Sequence, residues 1–153
     1  MIQRIQTVYW FLAALMACMM LPFEWMQLIV ADGDYTFAAS GISKITSGAV
    51  DTVVNGIPLM VYIIAYAVLN LVIIFLYKKR ILQARLTTIA IILAIGLYAV
   101  IAFYRFMSFN VDVVSTNFNY PLLFPLVCLF FDYLAQRGVI KDEIKVRSLD
   151  RIR

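Results

Sequence analysis

Few residues in this chain could do chemistry, and fewer are spaced for it. There is no histidine, which removes the usual proton shuttle and the commonest metal ligand. The two cysteines, Cys18 and Cys128, are too few for a thiolate metal cage. Both fall inside long apolar stretches, where a cysteine behaves as a small hydrophobe. Their expected depths on oppositely directed helices differ by more than the ~7 Å Cα separation that a disulfide tolerates. Asp32 and Asp34 flank Gly33 and read as a solvated turn before they read as a cation site. No catalytic residue, metal ligand or cofactor is therefore assigned.

Four polar residues remain in or beside apolar stretches: Glu24, Asn70, Arg105 and Asp132. A polar group inside a membrane is costly and becomes a functional candidate by default. Asn70 lies about two-thirds along its stretch, and its amide is expected to hydrogen-bond to another helix. Glu24 and Arg105 are expected at one interface, where they could pair. Asp132 is expected at the opposite end, near Arg137 and near either Arg4 or the Lys78–Arg85 loop. At such ends, ionisable groups reach out to water.

The elements that must position these residues follow from composition. The chain has 153 residues, of which 64% are hydrophobic and 14% charged. A soluble domain is typically about 45–50% apolar and about 25% charged, and a small fold cannot hide the excess. Crossing a bilayer takes roughly 20 apolar residues as helix. Four stretches qualify, over about 5–27, 57–77, 86–104 and 114–134. The sequence thus predicts an all-α, four-pass integral membrane four-helix bundle over 1–136, followed by a charged tail over 137–153. Pro121 falls in the first turn of the fourth stretch, and Pro125 is expected to kink its interior.

Charge placement orients the chain. Arg4, Lys78, Lys79, Arg80, Arg85 and six basic residues from Arg137 onward make eleven on one side, against Lys44 and Arg105 on the other. Basic residues collect on the cytoplasmic side, so both termini are expected there. The 26-residue segment 31–56 is then an extracytoplasmic loop. Its Asp-Gly, Ser-Gly and Asn-Gly steps and its large apolar residues suggest a short hairpin or an amphipathic piece lying on the helix ends. The short segment from Lys78 to Arg85 makes the second and third helices antiparallel neighbours. Nine of the seventeen tail residues are charged, six of them basic, which suits anionic lipid.

Two terminal motifs carry a resemblance. The start, Met1-Ile2-Gln3-Arg4-Ile5-Gln6-Thr7, leads straight into the first apolar stretch. The end holds Lys141-Asp142-Glu143 and then Arg147-Ser148-Leu149-Asp150-Arg151-Ile152-Arg153. Together they resemble a family of small bacterial four-pass inner-membrane proteins of unknown function. The resemblance implies a multi-pass protein of the bacterial inner membrane and brings no activity, substrate or cofactor with it. In the derived topology both motifs share the cytoplasmic side. Gln3, Arg4 and Gln6 could then meet Lys141, Asp142, Glu143, Arg147, Ser148, Asp150, Arg151 and Arg153 in one composite surface for a protein partner or anionic lipid. The tail has no interleaved aromatics, so nucleic acid is not expected. The best-fitting role is a non-enzymatic accessory or scaffold protein. The alternatives are a small transporter or channel acting as a homo-oligomer, and a membrane enzyme acting on lipid.

Overall fold

The computed structural model describes residues 3–30, 33–46, 49–77, 79–108 and 113–150. In chain order these form α1 (Gln3–Met19), β1 (Glu24–Val30), β2 (Gly33–Ala38), β3 (Gly41–Thr46), β4 (Ala49–Asn55), α2 (Ile57–Phe75), α3 (Arg80–Ser108), β5 (Val113–Phe118) and α4 (Phe124–Asp150). The strands make one antiparallel sheet in the order β4-β3-β2-β1-β5. The fold is therefore mixed helix and sheet. This overturns the all-α expectation and the four-pass helical bundle. Among the described residues, three helices are long and apolar enough to cross a membrane: Ile57–Phe75, Arg80–Met107 and Tyr120–Ile144.

The first stretch misleads because no charge interrupts it before Glu24. Its helix stops at Met19, so the 17 residues of α1 span about 25 Å, against a hydrocarbon core of about 30 Å. Pro22 disfavours helix at the residue before it. The end tightens through bonds from Met20 N to Ala17 O and from Leu21 N to Cys18 O, both 3.1 Å. After Glu24 the period changes to two. Met26, Leu28 and Val30 are buried, while Gln27 and Ile29 between them are exposed. The fourth stretch misleads in the same way. Val113, Val114 and Thr116 are β-branched and build β5, and a 3-10 turn over Tyr120–Leu123 leads into α4. Pro125 then falls in the first turn of α4, where a missing N–H costs little, and not at an interior kink.

The segment read as an extracytoplasmic loop supplies β2, β3 and β4, more than the single hairpin expected of it. Its register sorts the two faces. One row across all five strands is polar: Asn117, Gln27, Thr36, Ser43 and Thr52. The opposite face puts Met26 beside Phe37, and Phe37 beside Ile42, all buried. That apolar face closes one end of the helices. Phe37 stacks on Tyr104 of α3 at 6.3 Å and meets Trp25 edge-on at 5.4 Å. The Trp25 indole donates to Met20 O just past the end of α1 (3.0 Å).

The helices alternate in direction. α1 packs on α2 and α4, and α3 packs on the same two, so α2 and α4 face each other diagonally. Both of those helices start at the sheet. The β4–α2 junction is held by Gly56 N donating to Ser40 O at 2.9 Å. Gly41 faces that junction with φ +118°, and a Cβ there would overlap the Val54 carbonyl. Gly41→Ala is therefore expected to destabilise the protein by roughly 2 kcal/mol or more, because the backbone cannot move away without breaking the junction. Thermal melting in detergent, compared with Ser40→Ala, checks this.

Candidate functional site

Each helix turns a pair of polar or polar-tipped residues inward at i,i+4 spacing. The pairs are Gln6 and Trp10 on α1, Tyr66 and Asn70 on α2, Gln83 and Thr87 on α3, and Cys128 and Asp132 on α4, all buried. The outward faces are apolar instead. Val8 and Phe11 on α1, Val61 and Val68 on α2, Ile92 and Phe103 on α3, and Leu126 and Phe130 on α4 are all exposed. An apolar exterior around a polar seam inverts the pattern of a soluble bundle, and such large exposed patches mark a membrane or protein interface.

The centre of the seam is Asp132. It has 0% exposure, and its Oδ2 accepts a 2.5 Å hydrogen bond from the Tyr66 hydroxyl. Tyr66 lies midway along Ile57–Phe75, and Asp132 lies midway along Tyr120–Ile144. The bond thus joins the middles of two apolar helices across the bundle diagonal. Asn70, also at 0% exposure, donates from Nδ2 to Tyr66 O at 3.2 Å. Among the described residues, Asn70 Oδ1, Asp132 Oδ1 and the Trp10 indole N–H are buried and make no hydrogen bond. Cys128, one turn from Asp132, donates its thiol to Ala13 O at 3.3 Å, and both cysteines are free.

Asp132 was expected at an inner interface beside Arg137 and Arg4. The structure corrects this, because α4 does not end there but runs unbroken to Asp150. Asn70 lies in the helix interior as expected, although its Nδ2 donates within α2. Glu24 is exposed. It opens β1, and its carboxylate accepts from Gln27 Nε2 at 3.4 Å. Arg105 belongs to the last turn of α3.

Further from the sheet the seam continues. Gln83 Nε2 donates to Ile73 O near the end of α2 (3.1 Å), and outside the seam, at the exposed surface, Gln136 Nε2 donates to Thr88 Oγ1 (2.7 Å). At the far end, Gln6 Nε2 donates to Asp142 Oδ2 at 2.7 Å. Gly138 makes this possible, because a Cβ there would lie 2.9 Å from Gln6 Cγ and Nε2. The structure thus brings together Gln6 and Asp142 of the two terminal motifs, with Lys141 exposed and Glu143 half-buried beside them. Arg151 and Arg153 lie outside the described residues, as do the side chains of Gln3, Arg4, Arg147, Ser148 and Asp150.

A family model described as Domain of unknown function (DUF4293) matches residues 2–152. The chain belongs to this family. No curated protein and no solved structure matches it. The DUF4293 chain holds no group of three or more His, Cys, Asp or Glu placed to bind a metal among its described residues. Tyr66, Gln83 and Thr87 are not among the residues that composition and charge single out. The signal that finds them is the repeated i,i+4 spacing of polar residues inside apolar helices.

Tyr66→Phe should cost about 1–3 kcal/mol, since it leaves a buried carboxyl oxygen without its donor. Asp132→Asn should cost a comparable amount, and the double variant should cost less than the sum. Melting midpoints of the four proteins in one detergent read the coupling; strict additivity would mean that the two side chains do not depend on each other.

Proposed function

We propose that this protein is a membrane-integral, non-enzymatic accessory protein that docks an acidic cytoplasmic partner through the end of the bundle remote from the sheet. The observation that carries this reading is the Gln6–Asp142 hydrogen bond. It ties the start of α1 to the late part of α4, where Arg137 and Lys141 are exposed. Lys79, Arg80 and Arg85 belong to the same end, at the start of α3. The sheet end is different, with Glu24, Asp34 and Asp51 beside Lys44 and Arg105. Charge segregated in this way favours the basic end in the cytoplasm of a bacterial inner membrane and the sheet outside it. With α2, α3 and α4 as the crossing helices, α4 then ends on the cytoplasmic side. Arginine and lysine surfaces of this kind suit carboxylate-rich partners.

A second reading, cation or proton transport, is favoured by one observation. Asp132 is a carboxyl group at mid-helix, where a coupled transporter places one. Its test is flux into proteoliposomes, which Asp132→Asn should abolish; flux no greater than in empty vesicles removes this reading.

Docking predicts a discrete partner crosslinked in native membranes and identified by mass spectrometry. The pair Arg137→Glu and Lys141→Glu should remove that partner while leaving expression and melting unchanged. Recovery unaltered by both reversals would show that this surface is not the docking site.

A further inference from the structure

On α4, the residues that meet α1 and the residues that meet α3 lie on different faces. Gly138 and Asp142 face Gln6. Val139, Ile140 and Ile144 face the start of α3 and line a groove there. The groove has two adjoining parts. The outer part, about 510 Å³, is lined by Lys79, Arg80, Arg85 and Glu143. The inner part, about 310 Å³, shares Arg80, Arg85 and Glu143 but continues between Ala84 of α3 and Ile140 and Ile144 of α4. Three cations stand against one carboxylate at the mouth, and the channel leading from it is apolar.

We infer that this groove binds an anionic phospholipid, with its phosphate among Lys79, Arg80 and Arg85 and the start of one acyl chain along Ala84, Ile140 and Ile144. Charge complementarity chooses the headgroup. A surplus of positive charge selects a net negative lipid over a zwitterionic one, since the Glu143 carboxylate offsets only one of the three cations. The apolar continuation chooses a lipid over a free phosphate. The groove also lies where a lipid would meet it. Arg80 opens the Arg80–Met107 stretch and Ile144 closes Tyr120–Ile144, so both mark the boundary between apolar helix and water. Basic pockets between helices at this depth are a recurrent site for acidic headgroups. The inference rests on the membrane reading above and is independent of the docking of a protein partner.

The test uses the full chain purified in mild detergent, with binding of single lipids counted by native mass spectrometry. Phosphatidylglycerol should bind, and phosphatidylcholine and phosphatidylethanolamine should bind at least about tenfold more weakly. Arg80→Gln with Arg85→Gln should weaken phosphatidylglycerol by about fivefold per arginine removed. Ala84→Trp fills the apolar part, keeps every charge and should also displace the lipid. Far-UV circular dichroism and melting must match the parent chain for either variant to count. Equal binding of the three lipids, retention by either variant, or displacement by soluble glycerol phosphate at equal concentration would overturn the inference. Release of the chain from membranes by alkaline carbonate is a separate result, because it would overturn the membrane reading itself.

Discussion

The hydrogen bond from Tyr66 to Asp132 is the contact on which the helical part depends. A carboxyl group without solvent exposure is expensive to bury unless a donor meets it. The donor here comes from the diagonally opposite helix and reaches the carboxyl midway along both apolar stretches, Ile57–Phe75 and Tyr120–Ile144. A bond so placed fixes the rotation of α2 and α4 together, because turning either helix by one residue carries its polar group away from the other. With those rotations set, Asn70 and Cys128 fall inward, and Val61, Val68, Leu126 and Phe130 fall outward. The apolar exterior is a consequence of where the polar pair has to meet.

The sheet answers a second constraint at the end of the bundle. α2 and α4 both begin there, one after β4 and the other after β5 and the 3-10 turn. Backbone that leaves a helix has to pair its N–H and C=O groups elsewhere. The two segments do this in one sheet, with β1 between β2 and β5. Asn119 N extends the β1–β5 pairing by donating to Trp25 O at 2.9 Å. Connections far apart in sequence are thereby closed on each other. The row Met26, Phe37 and Ile42 gives the sheet its packing face, and Tyr104 receives it.

Much of this was legible in the residues, and the failures have one cause. Apolar content located α2, α3 and only the first part of α4, and the short basic connection made α2 and α3 antiparallel neighbours. The same content hid β1 and β5, because a stretch of roughly 20 uncharged residues looks alike whether it is one helix or a helix joined to a strand. Period separates the two. Glu24 to Val30 alternates, and Val113 to Thr116 is β-branched, but each runs directly into apolar helix residues that mask it. Asp132 was misplaced for a related reason. The strand residues of β5 are as uncharged as the helix that follows, so the apolar stretch starts early and places Asp132 at its end. Gln6 and Asp142 could be placed together from charge and topology alone, but the space for their bond comes from Gly138, which reads as a turn signal and lies within a helix.

α4 carries three positions of interest along one unbroken helix. Asp132 is at the centre of the bundle, Asp142 meets α1, and Ile140 and Ile144 border the groove beside α3. Ten residues separate the two aspartates in the sequence, a rise of about 15 Å. Packed helices shift as units, since their interiors tolerate few voids. Any ligand that moves the end of α4 against α3 therefore also moves Asp142 against Gln6, and it loads the Tyr66 bond further along the same helix. The groove and the Gln6 contact therefore share one element.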